Sequence, residues 1–431
     1  MTPQRRWLPV INPANHAQRV GEVELATSAD IDTAFAAATE SQTGWASVPP
    51  TERARMLEAA ADLMSEQCHA LMALLMREAG KTASNAIAEV REAVDFLRYD
   101  AAQIKAGFDN ATHRPLGTVV CISPWNFPLA IFTGQIAASL AAGNTVIAKP
   151  AEQTPLIASR AVEMLYQAGI PANALQLLNG DGETIGAALV KHPAVAGVVF
   201  TGSTAVARHI QATLANRLGA DGQPIPLIAE TGGQNAMIVD SSALTEQVVA
   251  DVLSSAFDSA GQRCSALRLL CIQRDVAAQT IEMLKGAMAA LQTGDPTRLS
   301  TDVGPVIDAS AKRAIDMHIA SLRDAGCIVT QTDLSVDAQQ GSFVPPTLIE
   351  IPNLHVLEHE VFGPVCHVIQ YDRAELPVLI DQINALGFGL TMVLHTRSDA
   401  TIEMVKRKAA VGNLYINRNQ VGAVVGVQPF G

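Results

Sequence analysis

Thr118-Val119-Val120-Cys121-Ile122 leads into Ser123-Pro124-Trp125-Asn126-Phe127-Pro128, then an apolar stretch to Ala142, Gly143-Asn144, and Thr145-Val146-Ile147-Ala148-Lys149. In order, these are a β-branched run, a proline-bounded turn, a helical pattern, a Gly-Asn break and a second β-branched run. Two parallel strands need a crossover of this length, and strands covered on both faces read as unbroken apolar runs. Residues 129–148 carry no charge and are long enough to resemble a membrane span. The Gly143-Asn144 break predicts helix, turn and strand instead.

The same alternation continues outward. Strand-like runs fall at 119–122, 145–148, 175–178 and 197–200, with helical patterns over 130–141, 154–168, 183–190 and 204–216 between them. This predicts an α/β fold with a doubly wound, mostly parallel sheet. A second series starts near Asn235: a strand over 236–239, a helix to 259, a strand over 268–273 and a helix to 291. The boundary is placed at Thr231, giving a first domain over 1–230 and a second over 231–431. Upstream, apolar residues from Leu57 to Leu71 predict one helical stretch from Thr51 to near Gly80. Ile87, Val90, Val94, Leu97, Ala101 and Ile104 form the apolar stripe of another helix.

At 431 residues and 48% hydrophobic, the chain exceeds what one core usually holds. The net charge of −12 comes without any long Lys/Arg run, which argues against nucleic acid or an anionic membrane as partner. The apolar run Leu8-Pro9-Val10-Ile11 is too short for a secretory signal. Six cysteines without a C-x-x-C pair predict free thiols in a reducing, cytoplasmic setting. The chain stops at Gln428-Pro429-Phe430-Gly431, inside what reads as an unfinished loop, so a piece of a larger protein is expected.

Cys264 stands out among the thiols. In Gly261-Gln262-Arg263-Cys264-Ser265 it occupies a loop beside a cation, where a thiol can ionise and attack a carbonyl. Taken alone, a buried structural cysteine is the commoner case. Glu230 closes an apolar run and enters Thr231-Gly232-Gly233, as a base that activates water would; a solvated strand-end carboxylate is the plainer alternative. The Asn126 amide, in a turn that could equally be structural, can donate to an oxyanion, with the Cys264 N–H as second donor. Phe200-Thr201-Gly202-Ser203-Thr204 joins strand to helix, where orphan N–H groups suit a pyrophosphate, though no G-x-G-x-x-G is present. Lys149 and Glu152 end a neighbouring strand and can bind ribose hydroxyls; the carboxylate disfavours a 2′-phosphate, hence NAD over NADP. Glu360-Val361-Phe362-Gly363-Pro364 can offer a carboxylate to the second ribose and a ring to the nicotinamide.

Together these motifs, in this order, resemble the aldehyde dehydrogenase superfamily over nearly the whole chain. The 34-residue step from Glu230 to Cys264 is similar to the family's. Two departures, Ala207 where a second glycine is common and Thr231 where leucine is usual, leave every reacting group in place. The resemblance implies a Rossmann-type NAD-binding domain and an α/β catalytic domain. It also implies Cys264 as nucleophile, Glu230 as base, Asn126 as oxyanion donor, and Trp125, Lys149, Glu152, Gly202, Ser203, Glu360 and Phe362 around the cofactor. Gly-Gln-Arg-Cys-Ser-Ala (261–266), the segment 229–236 and Asn-Arg-Asn-Gln-Val-Gly-Ala-Val-Val-Gly (417–426) resemble L-glutamate-γ-semialdehyde (1-pyrroline-5-carboxylate) dehydrogenases. The likeness is greatest to the C-terminal part of bifunctional proline utilization A proteins. That branch implies Ser265, Gly422 and Ala423 on the substrate α-carboxylate, Arg263 and Glu92 behind Ser265, and Phe127 and Phe430 along the aliphatic chain. A proline dehydrogenase domain on the same parent chain and a homo-oligomer are implied as partners. The stretch 106–113 is too short for a strand of the family's pairing hairpin, which is therefore expected beyond Gly431.

Other classes remain to be weighed. His355-Val356-Leu357-Glu358-His359 spells H-x-x-E-H, a zinc peptidase pattern. Pro352 and Gly363-Pro364 leave little room for the long helix it needs, so no metal is expected. Another small aldehyde, such as succinate semialdehyde, is the alternative substrate. A scaffold without turnover is the alternative from outside enzymology, and retention of Cys264, Glu230 and Asn126 together speaks against it.

Overall fold

The computed structural model describes residues 6–220 and 222–428. Phe430, expected along the substrate chain, lies outside the described residues. The chain divides into two compact units: 1–12, 16–79 and 83–231 form unit 1, and 13–15, 80–82 and 232–431 form unit 2.

Unit 1 opens with β1 (Trp7–Asn12) and β2 (Asn15–Glu24), which form a two-stranded sheet of their own. Helices Ser28–Ser47, Pro50–Glu66, Cys68–Glu78 and Ala83–Gly107 follow. The single helical stretch expected from Thr51 to Gly80 is thus two helices, broken where Gln67 takes φ −98° and ψ 18°. Apolar spacing runs unbroken from Met64 through Cys68 to Leu71, so the pattern does not register the break.

The sheet of unit 1 contains β3 (Thr118–Ile122), β4 (Thr145–Lys149), β5 (Leu175–Leu177), β6 (Gly197–Thr201) and β7 (Leu227–Glu230), in the order β5-β4-β3-β6-β7. Every pair is parallel. Successive side chains on a strand face opposite ways. Val119 and Cys121 accordingly enter a core with Leu57, Leu97, Phe132 and Ile136, while Val120 enters another with Phe35, Leu189 and Ile210. Burying each such Leu or Ile contributes roughly 1.5–3 kcal/mol. Residues 129–148 form helix Ala130–Ala141, a turn through Gly143 at φ 85°, and β4. Among the described residues, no helix is long and apolar enough to cross a membrane. The chain passes from β3 to one side through β4 and β5, then returns to the other side with β6. That reversal opens a crevice at the strands' carboxyl ends, where ligands of such sheets bind.

Unit 2 is built on β8 (Asn235–Val239), β9 (Leu267–Gln273), β10 (Ile328–Gln331), β11 (Thr347–Glu350), β12 (Val365–Tyr371), β13 (Thr391–His395) and β14 (Asn413–Ile416). Their order is β10-β11-β12-β9-β8-β13-β14, with β10 antiparallel to β11 and the other pairs parallel. β8 and β9 are buried at every position. Helix Thr245–Phe257 stops short of the expected 259, because Ser259, Ala260 and Gly261 all turn left-handed, with φ of 55°, 54° and 65°.

Candidate active site

In unit 1 the sequence candidates gather at the carboxyl ends of β4, β3, β6 and β7. Register sets Lys149 level with Ile122, Ile122 level with Phe200, and Thr201 level with Glu230. Beyond β3, Asn126 is buried while Trp125 and Phe127 are half-buried. The exit of their loop is held by Glu89, which the sequence reading missed. Its buried carboxylate accepts from the Leu129 N–H at 2.9 Å and the Ala130 N–H at 3.4 Å. A carboxylate there satisfies orphan donors of helix Ala130–Ala141 and complements its dipole. Glu92 stands on the same helix as Glu89, three residues on and half-buried.

Lys149 is buried at the end of β4, its Nζ 2.9 Å from the Pro150 carbonyl and 3.4 Å from Glu152 Oε2. Burial lowers the Lys149 pKa, and the charges of Glu152 and Asp181 oppose that shift. Asp181 was also missed. It caps the turn Gly182–Gly186, a π-helical turn where an ordinary helix start was expected. Ser203 caps helix Thr204–Ala215 by accepting from the Val206 N–H. Helix geometry leaves the Thr204 and Ala205 N–H groups without an intrahelical acceptor. Gly202 donates its N–H to the Glu230 carbonyl at 3.1 Å, and a β-carbon there would meet the Phe200 ring at 2.6 Å. Orphan amides, a buried ammonium and a half-exposed carboxylate along one sheet edge fit the pyrophosphate and a ribose of a dinucleotide. Glu230 itself is half-buried, and burial raises its carboxyl pKa above the ordinary value.

In unit 2 the centre is the turn carrying Cys264, whose side chain is half-buried. Asn235, buried at the start of β8, donates Nδ2 to the Cys264 carbonyl at 2.7 Å and the Ala266 carbonyl at 2.9 Å. Its Oδ1 accepts from the Thr391 N–H at 3.1 Å. Gln262 accepts from the Ile307 N–H at 2.8 Å and donates to the Pro305 and Ser259 carbonyls, both at 3.2 Å. The Lys81 ammonium reaches Ser259 Oγ at 3.1 Å. These bonds hold the left-handed turn against a cost of roughly 1–2 kcal/mol for each non-glycine residue. Asn235→Ala is expected to lower stability by about 1–3 kcal/mol, read as a lower urea midpoint with an unchanged slope.

Arg263 pairs with Asp258 at 2.7 Å, and Ser265, two residues on, is buried. Gly422 is exposed with φ 74°, and nothing lies within 4 Å of where its β-carbon would be; Ala423 is half-buried. Glu360 and Phe362 sit on a loop that meets the turn carrying Cys264 closely. A β-carbon on Gly261 would lie 2.2 Å from the Gly363 carbonyl oxygen, and one on Gly232 would lie 1.7 Å from Glu360 Oε2. The Glu360 carboxyl is raised by burial, against Arg268 and the Gly233 N–H. In the H-x-x-E-H segment, the three-residue 3₁₀ turn Leu354–Val356 gives way to irregular backbone, with His355, Glu358 and His359 exposed.

Residues 1–431 match the model of the aldehyde dehydrogenase family. The chain belongs to that family. It is 61% identical to the bifunctional protein PutA of Klebsiella aerogenes, over 98% of this chain and 33% of that protein. It is 36% identical to 1-pyrroline-5-carboxylate dehydrogenase of Geobacillus sp. (strain WCH70), over 98% of this chain and 84% of that one. The crystal structure of 1-pyrroline-5-carboxylate dehydrogenase from Thermus with bound NAD superposes with a TM-score of 0.91 at 33% identity, covering 99% of this chain and 84% of that one. The chain spans about a third of the length of the PutA relatives it matches.

Proposed function

We propose that this chain oxidises L-glutamate-γ-semialdehyde to L-glutamate with NAD, through a thioester on Cys264. The observation that carries the reading is a half-buried thiol on a turn pinned by Asn235 and Gln262. The Cys264 thiolate adds to the aldehyde carbon, and the oxyanion accepts from Asn126 and the Cys264 N–H. NAD, when bound, accepts the hydride that leaves this carbon. Glu230 then takes a proton from water as it adds to the thioester, releasing glutamate and the thiolate. Lys149, Glu152, Gly202, Ser203, Trp125, Glu360 and Phe362 hold the cofactor. Ser265, Gly422 and Ala423 hold the α-carboxylate, with Arg263 and Glu92 supporting Ser265, and Phe127 flanks the aliphatic chain.

The substrate assignment is supported by likeness to named 1-pyrroline-5-carboxylate dehydrogenases over most of their length. It also makes this the second step of proline breakdown, after a proline-oxidising domain on the same parent chain. A homo-oligomer in the cytoplasm completes the proposal. NADH formation with glutamate semialdehyde, succinate semialdehyde and acetaldehyde tests it. The first is expected to lead in kcat/KM by at least about tenfold. A preference for either other aldehyde would overturn the substrate and leave the thioester chemistry standing.

A further inference from the structure

β9 is buried along its whole length, yet it carries a guanidinium. Arg268 is 0% exposed. Its Nη1 donates to the Gly363 carbonyl at 3.0 Å, and its Nη2 donates to the Arg263 carbonyl at 3.1 Å and reaches Glu360 Oε1 at 3.4 Å. Its central carbon lies 5.2 Å from the centre of the Phe362 ring. One side chain therefore grips the residue before the nucleophile and three of the four residues from Glu360 to Gly363. A cation leaves water only where its partners hold it, and here the partners are these two loops. Burial works against the charge on Arg268 and lowers its pKa, while Glu360 and, to a lesser extent, Cys264 favour it. Two groups that can be negative thus share one buried cation.

We propose that Arg268 is a positioning residue that couples occupancy of the cofactor site at Glu360 to the reactivity of the Cys264 thiol. The inference rests on the proposed roles of Cys264 and Glu360. When ribose hydroxyls donate to Glu360, its carboxylate draws less on the guanidinium, and more of that positive field remains for the thiolate. Cofactor binding then readies the nucleophile. The other titratable groups facing Arg268 are Cys366 and His367 on β12. Burial pushes Cys366 up to about 12 and His367 down to about 3, so neither changes charge near neutrality. Arg263, next to the nucleophile, is paired with Asp258.

The test is the pH profile of Cys264 alkylation by iodoacetamide, with and without NAD, read by mass spectrometry. Shielding by NAD changes the plateau, whereas the proposed coupling moves the midpoint. In the unaltered chain NAD is expected to lower the midpoint, raising the sub-plateau rate relative to the plateau by about fivefold or more. Arg268→Gln should raise the midpoint and Glu360→Gln should lower it, and both should lose the response to NAD. Arg268→Lys keeps a charge without the fork, so its midpoint should fall below that of Arg268→Gln with no NAD response. If Arg268→Gln fails to fold, Glu360→Gln carries the test through the opposite shift. The coupling is overturned if the NAD response is absent from the unaltered chain, or if it survives in Glu360→Gln or in a folded Arg268 variant. Turnover that persists in Cys264→Ala would instead overturn the proposed function, so the two failures are distinguishable.

Discussion

Cys264→Ala is expected to abolish NADH formation, lowering kcat by about 10⁴-fold or more while NAD binding and the fold persist. No other thiol can take its place. Cys121 and Cys366 are buried and pushed up to about 12, and Cys271 is buried and raised further. Such groups are not thiolates near neutrality. Cys68 and Cys327 are half-buried on helix Cys68–Glu78 and at the turn before β10, in sequence outside every candidate motif. The measurement is steady-state NADH formation, backed by mass spectrometry of the quenched enzyme for the acyl adduct. Turnover that survived the substitution would end the thioester mechanism.

Glu230→Gln should separate the two halves of the reaction. Acylation needs no water and should proceed, giving about one NADH per site in a rapid burst. Deacylation should slow by about 10²- to 10⁴-fold, so the acyl-enzyme accumulates. In the proposed mechanism Glu230 must be ionised to accept a proton. Burial raises the Glu230 pKa, so deacylation should fall, as pH drops, at a point above the ordinary carboxylate range. In Glu230→Gln that acid limb should vanish. A variant with no burst would instead place Glu230 before hydride transfer.

The doubly wound core was legible because parallel strands covered on both faces are written as unbroken apolar runs. β3, β4 and β8 are buried throughout or nearly so, and each is such a run. β2 shows why the opening hairpin was not: Asn15–Glu24 is largely solvent-facing, so no apolar alternation marks it. Helix Ser28–Ser47 was not read from the sequence either: Thr27 and Asp30, which form a reciprocal cap, are only a short local signal. Its buried face, rich in small alanines, makes a faint stripe.

The candidates Asn126, Glu230 and Cys264 were picked out through motifs. The residues that hold such groups were not, because their partners lie far along the chain. Glu89 meets Leu129 40 residues on, and Asn235 meets Thr391 156 residues on. Arg268 did leave a trace: a charge inside Leu267-Arg268-Leu269-Leu270 contradicts a buried strand unless something pairs with it. The sequence alone names no such partner.

The close approach of the two unit 2 loops bears on how relatives of this chain can be recombined. A would-be Gly261 β-carbon falls 2.2 Å from the Gly363 carbonyl oxygen, so those two backbones leave no room for a side chain, and one on Gly232 would strike the Glu360 carboxylate. Segments 232–268 and 360–363 therefore form one exchangeable block despite their separation in sequence. A chimaera inheriting them from different parents has to match both backbone paths at once, and crossovers placed outside the pair preserve the fit.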